Sequence, residues 1–254
     1  MATTTPTPTD ERPDTAEPLR IDRHFTRPGE DPYDTLDWET REAKIVNHID
    51  GSVAFSQPDV EFPAGWSATA GNIVAQKYFR GVLGTAGREH SLRQVVDRVV
   101  DTITAWGLAD GYFGEPGPDG TAAAQAETFA AELRWLLVHQ RVAFNSPVWF
   151  NIGVPGVPQQ ASACFILAVD DEMDSILNWY VEEGRIFKGG AGAGVNLSAV
   201  RGSQELLAGG GEASGPVSFM RGADSSAGTI RSGGKTRRAA KMVLLDADHP
   251  DVEE

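Results

Sequence analysis

Residues 164–200, CFILAVDDEMDSILNWYVEEGRIFKGGAGAGVNLSAV, hold the pattern on which the fold turns. The apolar run Cys164–Val169 is short enough for a buried strand. A helix is expected over about Met173 to Phe187. A glycine-dense turn and a second apolar run, GVNLSAV, follow. A strand, a helix and a second strand in that order predict a βα-type layout with a parallel sheet. The runs VAF before this stretch and KMVLLDA after it extend the expectation of strands to both sides, which places the chain in the α/β class.

Further outward, two amphipathic helices stand out. Ser91 suits an N-cap, and Leu92, Val95, Val96, Val99, Val100, Ile103 and Trp106 recur at helical spacing up to Gly107, which reads as the residue past the helix end. After the turn-rich GYFGEPGPDG, Ala126, Phe129, Ala130, Leu133, Leu136 and Leu137 define a second helix ending near His139. The two are expected to pack as a scaffold hairpin. Residues 1 to about 30 are Thr, Pro, Asp and Glu with few large apolar side chains, the composition of a disordered tail.

Bulk properties exclude several classes. The chain of 254 residues is 41% hydrophobic, enough for a buried core. A net charge of -14 argues against non-specific binding to nucleic acid or anionic membranes, which draw basic proteins. No apolar run approaches membrane-span length, and the amino-terminal residues lack the basic start and apolar core of a secretory signal. A single cysteine forms no internal disulfide and suits a reducing compartment, so a cytoplasmic setting is expected.

The glycine runs mimic two nucleotide motifs and match neither. Counted from Gly190, the third glycine of a dinucleotide fingerprint falls on Val195, and the run follows a helix where the fingerprint follows a strand. In GTIRSGGKTRRAAKM, five residues separate Gly228 from Gly234, so Thr229 occupies the place of the first Walker glycine. What remains is general chemistry. Clustered glycines expose backbone N–H groups to an anion, and Arg231, Lys235, Arg237, Arg238 and Lys241 gather positive charge in an acidic protein. A solvated basic loop and a plain turn are the competing readings. Cys164 on an apolar strand is by ordinary expectation an inert buried thiol. The histidines show no metal-ligand spacing, and no metal site is expected among them.

Taken in order, NIVAQKYFRG, FNSPVWFNIGV, ACFILAVDDEMDSI, FKGGAGAGVNLSAVRG, GGGEASGPVSFMRG and SGGKTRRAAKMVLLDADHPD resemble the amino-terminal portion of the adenosylcobalamin-dependent, class II ribonucleotide reductases. The resemblance runs from about Trp38 to the last residue. It implies three parts: a disordered tail over 1–35, a mainly helical domain over 36–140, and over 141–254 the beginning of an α/β barrel with substrate and effector loops. Ser146, Ala163, Cys164 and Gly192 are implied to line the substrate pocket. Cys164 is implied to be one of two redox cysteines that end as a disulfide, its partner lying outside this chain. Asp171 is implied to meet the effector deoxyribose and Arg201 its phosphates. Arg231, Lys235 and Arg237 belong to the stretch implied to couple effector to substrate.

The same resemblance implies the reaction: a cobalamin-initiated thiyl radical converts ribonucleotides, diphosphates in this longer form, to 2′-deoxyribonucleotides. Such a reaction supplies DNA precursors for replication or repair, also when oxygen is limiting. Adenosylcobalamin is the implied cofactor, held mostly by residues outside the chain. The implied partners are a ribonucleotide substrate, a deoxynucleotide or ATP effector, a thioredoxin-like reductant and a second copy in a homodimer. With the family's radical cysteine segment absent, the chain alone is expected to be inactive. The alternative is a non-catalytic nucleotide-sensing module, distinguished by the lack of a following Asn-x-Cys-x-Glu segment.

Overall fold

A computed structural model describes residues 17–115, 117, 120–230 and 239–254. In chain order its strands and helices are Trp38–Val46 (β1), Val53–Pro63 (β2), Ala68–Lys77 (α1), Leu92–Ala109 (α2), Thr121–Val138 (α3), Ser146–Asn151 (α4), Cys164–Ala168 (β3), Met173–Lys188 (α5), Gly192–Asn196 (β4), Gly215–Thr229 (α6) and Lys241–Leu244 (β5). Two compact units result. One comprises residues up to Asp37 with Val100–Val142, the other Trp38–Val99 with Ala143–Glu254.

In the first unit, residues 17–35 depart from the expected tail. Their backbone is caught by α3 and the turn before it. Leu19 N–H donates to the Tyr112 carbonyl at 2.8 Å and Ile21 N–H to Gln125 Oε1 at 2.7 Å. The Glu132 carboxylate accepts from the backbone N–H groups of Phe25 and Thr26 and from the Thr26 hydroxyl. Burial opposes ionisation of Glu132, but these donors outweigh it and hold the carboxyl below its ordinary value. Phe25 stacks on Trp135 with centroids 4.2 Å apart. Composition misses this order because side chains elsewhere in the chain supply the partners. Gly107 also differs from expectation. It lies inside α2, where a Cβ would press on the Phe113 ring at 2.6 Å, so it serves close packing and does not end the helix.

In the second unit, the segment 38–63 forms an antiparallel hairpin running from Trp38↔Pro63 to Val46↔Val53. Below it, the buried Arg88 guanidinium donates to the carbonyls of Ala75 at 2.5 Å and Phe79 at 2.6 Å and to Gln57 Oε1 at 2.9 Å. It thereby satisfies carbonyls left open at the end of α1. Glu89 closes the loop that Arg88 stands in, accepting from Arg80 N–H at 2.7 Å and donating its own N–H to the Arg80 carbonyl at 2.8 Å. Val82 and Leu83 form the exposed tip of that loop.

The parallel sheet is ordered β3-β4-β5, with Cys164 opposite Gly192 and Ala193 opposite Lys241. Alternation decides its faces. Phe165, Leu167, Ala193 and Val195 turn toward α5 and α6, around a core of Ile176, Trp179, Val195, Leu197 and Ala223. Ile166, Met242 and Leu244 stand exposed on the other face. Three strands do not close a barrel. The run VAF, expected as a strand, is irregular chain leading into α4. Pro147 in the first turn of that helix fits a position whose N–H needs no partner.

Candidate functional site

Among the residues singled out from sequence, Ala163, Cys164 and Gly192 fall at one end of a βαβ unit and Asp171 and Arg201 at the other. At the start of the strands, Ala163 and Cys164 meet Gly192: Gly192 N–H donates to the Ala163 carbonyl at 2.7 Å, and Cys164 is its register partner. Cys164 is exposed, so its expectation as a buried thiol is overturned. The reason is the pleat, which sends Phe165 toward the helices and Cys164 to the open face. Gly192 keeps the site shallow. A Cβ there would lie 3.8 Å from Cys164 Sγ and 3.2 Å from the Ala240 carbonyl.

Ser146 begins α4, and its hydroxyl lies 3.1 Å from that of Tyr78. Tyr78 stacks on Phe150 at 5.3 Å, and Asn151 Nδ2 donates to the carbonyls of Gln160 at 3.1 Å and Gly189 at 3.3 Å. Thus α4 is tied to the glycine turn just ahead of Gly192. Sequence reading passed over Tyr78, Phe150 and Asn151. Their only signal was membership of NIVAQKYFRG and FNSPVWFNIGV, the segments already quoted.

Behind the same end of the sheet sits a buried ion pair. Lys241 Nζ lies 2.6 Å from Glu183 Oε2, and the ammonium stands over the rings of Trp179 and Phe187. Glu183 Oε1 and Trp179 Nε1 are buried without a hydrogen-bond partner. Lys241, grouped by sequence with a cationic loop, is therefore turned inward to α5.

At the far end of the strands the chemistry changes. Asp171 Oδ2 accepts from Arg201 Nε at 2.6 Å and Oδ1 from Arg201 N–H at 3.2 Å. Both residues line an open cleft of about 450 Å³ together with Ser198, Asp246, Asp248 and His249. Clefts at the carboxyl ends of parallel strands are the usual ligand positions in α/β folds. Apart from Arg201 this lining is acidic, so a phosphate would need further cations. Arg231, Lys235, Arg237 and Arg238, assigned to that task from sequence, lie outside the described residues. Helix α5 starts beside Asp171 and ends at the glycine turn, so one element of roughly 24 Å connects the two ends.

With this geometry in view, the comparisons with known proteins are specific. A family model described as class II vitamin B12-dependent ribonucleotide reductase matches residues 40–140, and one for the ribonucleotide reductase barrel domain matches residues 162–254. The chain belongs to the family of vitamin B12-dependent ribonucleotide reductases. It is 61% identical over 239 residues to the vitamin B12-dependent ribonucleotide reductase of Streptomyces avermitilis, a match covering 94% of this chain and 24% of that protein. The enzyme of the same name from Rhodopirellula baltica is 45% identical, over 89% of this chain and 24% of its own length. A vitamin B12-dependent ribonucleoside-diphosphate reductase of Mycobacterium tuberculosis is 38% identical over 164 residues, 64% of this chain and 22% of its own. The chain thus spans about a quarter of the length of the curated relatives it matches.

The family's cofactor is a cobalamin. Three clefts among the described residues, of about 450, 500 and 640 Å³, are open and small beside a corrin macrocycle. His249 has both ring nitrogens engaged by backbone, and among the described residues no group of three His, Cys, Asp or Glu is arranged to hold a metal ion. No helix among the described residues is long and apolar enough to cross a membrane.

Proposed function

We propose that this chain forms the substrate-reducing and effector-sensing part of an adenosylcobalamin-dependent ribonucleoside-diphosphate reductase. The observation that carries this reading is the exposed Cys164 thiol beside Gly192, on the open face of the sheet, in a chain of this family. The net chemistry is a two-electron reduction. The ribose C2′–O bond breaks, the oxygen leaves as water, and C2′ gains hydrogen. Two thiols, Cys164 and a second cysteine outside this chain, release two protons and two electrons and become a disulfide. A thioredoxin-like dithiol then restores them by exchange. Adenosylcobalamin supplies the radical chemistry that starts the reaction.

The part played by the described residues is positioning. Gly192 and the Ala163 carbonyl leave room for a sugar to approach the thiol. Ser146, held by Tyr78, offers a hydroxyl to the substrate, with α4 tethered to the same glycine turn. Asp171 and Arg201 are proposed to take the deoxyribose and phosphates of an effector at the far end, and Arg231, Lys235 and Arg237 to relay its identity. A homodimer is the proposed assembly, and Met173, Leu177 and Val181 give α5 an exposed apolar stripe suited to a second copy. The proposed role is supply of DNA precursors for replication or repair, including under oxygen limitation. A nucleotide-sensing module would use only the Asp171 end and leave the exposed thiol without a task.

The test is an assay of the intact polypeptide carrying this chain, with adenosylcobalamin, a dithiol and the four ribonucleotides as diphosphates and as triphosphates. Deoxyribonucleotide formation, faster from diphosphates, is expected; none from either series would end the proposal. The 254-residue chain alone is expected to give no product.

A further inference from the structure

The His249-Pro250-Asp251 turn takes no part in the function proposed above, yet its polar side chains are buried and converge on one short segment. His249 Nδ1 accepts the Asp251 N–H at 3.1 Å, which leaves the ring proton on Nε2 to donate to the Val200 carbonyl at 2.8 Å. The Asp251 carboxylate accepts the Ser203 N–H on both oxygens, at 2.9 and 3.1 Å, and the Ser203 hydroxyl at 3.0 Å. Pro250 fills the space at Gly202, where a Cβ would come within 3.0 Å of the proline ring. Gly215, at φ +68°, completes the fit, since a side chain there would collide with Asp251 Oδ2. Val200, Gly202 and Ser203 are thus gripped, and the residue between them, Arg201, pairs with Asp171 at the wall of the cleft.

We propose that His249 and Asp251 are positioning residues for nucleotide binding: by locking backbone 200–203 they aim the Arg201 guanidinium at an incoming phosphate. The proposal rests on the reading of Asp171 and Arg201 as the effector site. An arginine on a segment containing Gly202 and Ser203 would lose much conformational freedom on binding, and a locked backbone removes that cost beforehand. Hydrogen bonds to a buried carboxylate are among the strong ones, so the lock is stiff. The clamp does nothing for Cys164 or Gly192, which lie at the other end of the strands.

Equilibrium dialysis of dATP against the intact polypeptide, with four variants, separates this role from simple fold support. Arg201→Ala and Asp251→Asn are each expected to weaken dATP binding by about tenfold, and Ser203→Ala, which removes a single hydroxyl, by about threefold. In the Arg201→Ala background, Asp251→Asn is expected to add less than about twofold, because its effect runs through the missing guanidinium. Unchanged affinity in Asp251→Asn and Ser203→Ala, beside a weakened Arg201→Ala, overturns the proposal and leaves the effector site standing. An equal loss from Asp251→Asn with or without Arg201 also overturns it. Unchanged affinity in Arg201→Ala removes the effector site itself, and the clamp's role with it. Should Asp251→Asn fail to fold, Ser203→Ala alone and with Arg201→Ala completes the same cycle.

Discussion

The two ends of the parallel sheet are made of different materials. At the strand starts, the surface offered to solvent is a thiol, a glycine and a carbonyl, with the charged pair Glu183–Lys241 turned inward behind them. At the strand ends, charged side chains stand in the cleft, and a second set, His249 and Asp251, fixes the backbone that carries one of them. In the function proposed above, small groups at the strand starts admit a sugar to bonding distance. At the strand ends Arg201 meets an anion in a lining otherwise acidic, which calls for further cations. About five residues of strand, roughly 16 Å, separate the two, too far for direct contact between their ligands and short enough for α5 to link them.

If the thiol end is the reactive one, Cys164→Ser in the intact polypeptide should have the largest effect of any change. A hydroxyl nearly preserves the shape, so nucleotide binding by dialysis should change little. It forms no disulfide, and deoxyribonucleotide formation should fall by about three orders of magnitude or more. Normal multiple-turnover reduction would make this end inert and erase the contrast.

The hidden pair behind that end gives the largest expected effect on stability. Lys241→Met leaves Glu183 buried without its cation and should cost about 3–5 kcal/mol in urea unfolding. Lys241→Met combined with Glu183→Leu should recover most of it, as an apolar replacement removes both charges together. A stable single variant would mean that the pair adds nothing to the sheet.

A smaller effect should come from the link between the ends. Arg237→Ala with Arg238→Ala should blunt effector-dependent substrate choice by about 1–3 kcal/mol of coupling while changing effector-free turnover less. Assays of the four substrates with and without dATP measure it, and an unaltered selectivity pattern counts against these arginines as the relay.

Smallest of all, Gly192→Ala should raise KM a few-fold, about 1 kcal/mol. The added methyl approaches the Ala240 carbonyl at 3.2 Å and narrows the space above Cys164. Loss of stability with unchanged KM would show that Gly192 serves the sheet alone.

The sheet and its helix were legible in the sequence because their apolar spacing is local: Cys164–Ala168 and Met173–Lys188 stand almost where periodicity puts them. Helix α6 was not, since GPVSFMRGADSSAGT is rich in glycine and serine and carries little apolar rhythm. The hairpin of β1 and β2 escaped for another reason, its register being broken by shifts near Arg41 and Ile45 that blur alternation. At the candidate site, Cys164, Gly192, Asp171 and Arg201 were singled out through motif resemblance. Tyr78 and Asp251 were not, because each acts on a residue 48 or more positions away, through contacts that only the fold creates.

The loop that Arg88 and Glu89 close has a bearing on how the protein would meet a protease. Val82 and Leu83 offer an exposed apolar cleavage point between flanking glycines. Arg80 and Glu89 are bonded to each other on either side of that point, and Arg88, beyond it, reaches back to the carbonyls of Ala75 and Phe79 before it. A nick at the tip would sever the chain without freeing its ends. The clipped protein should migrate as two fragments under denaturing conditions and as one species under native ones.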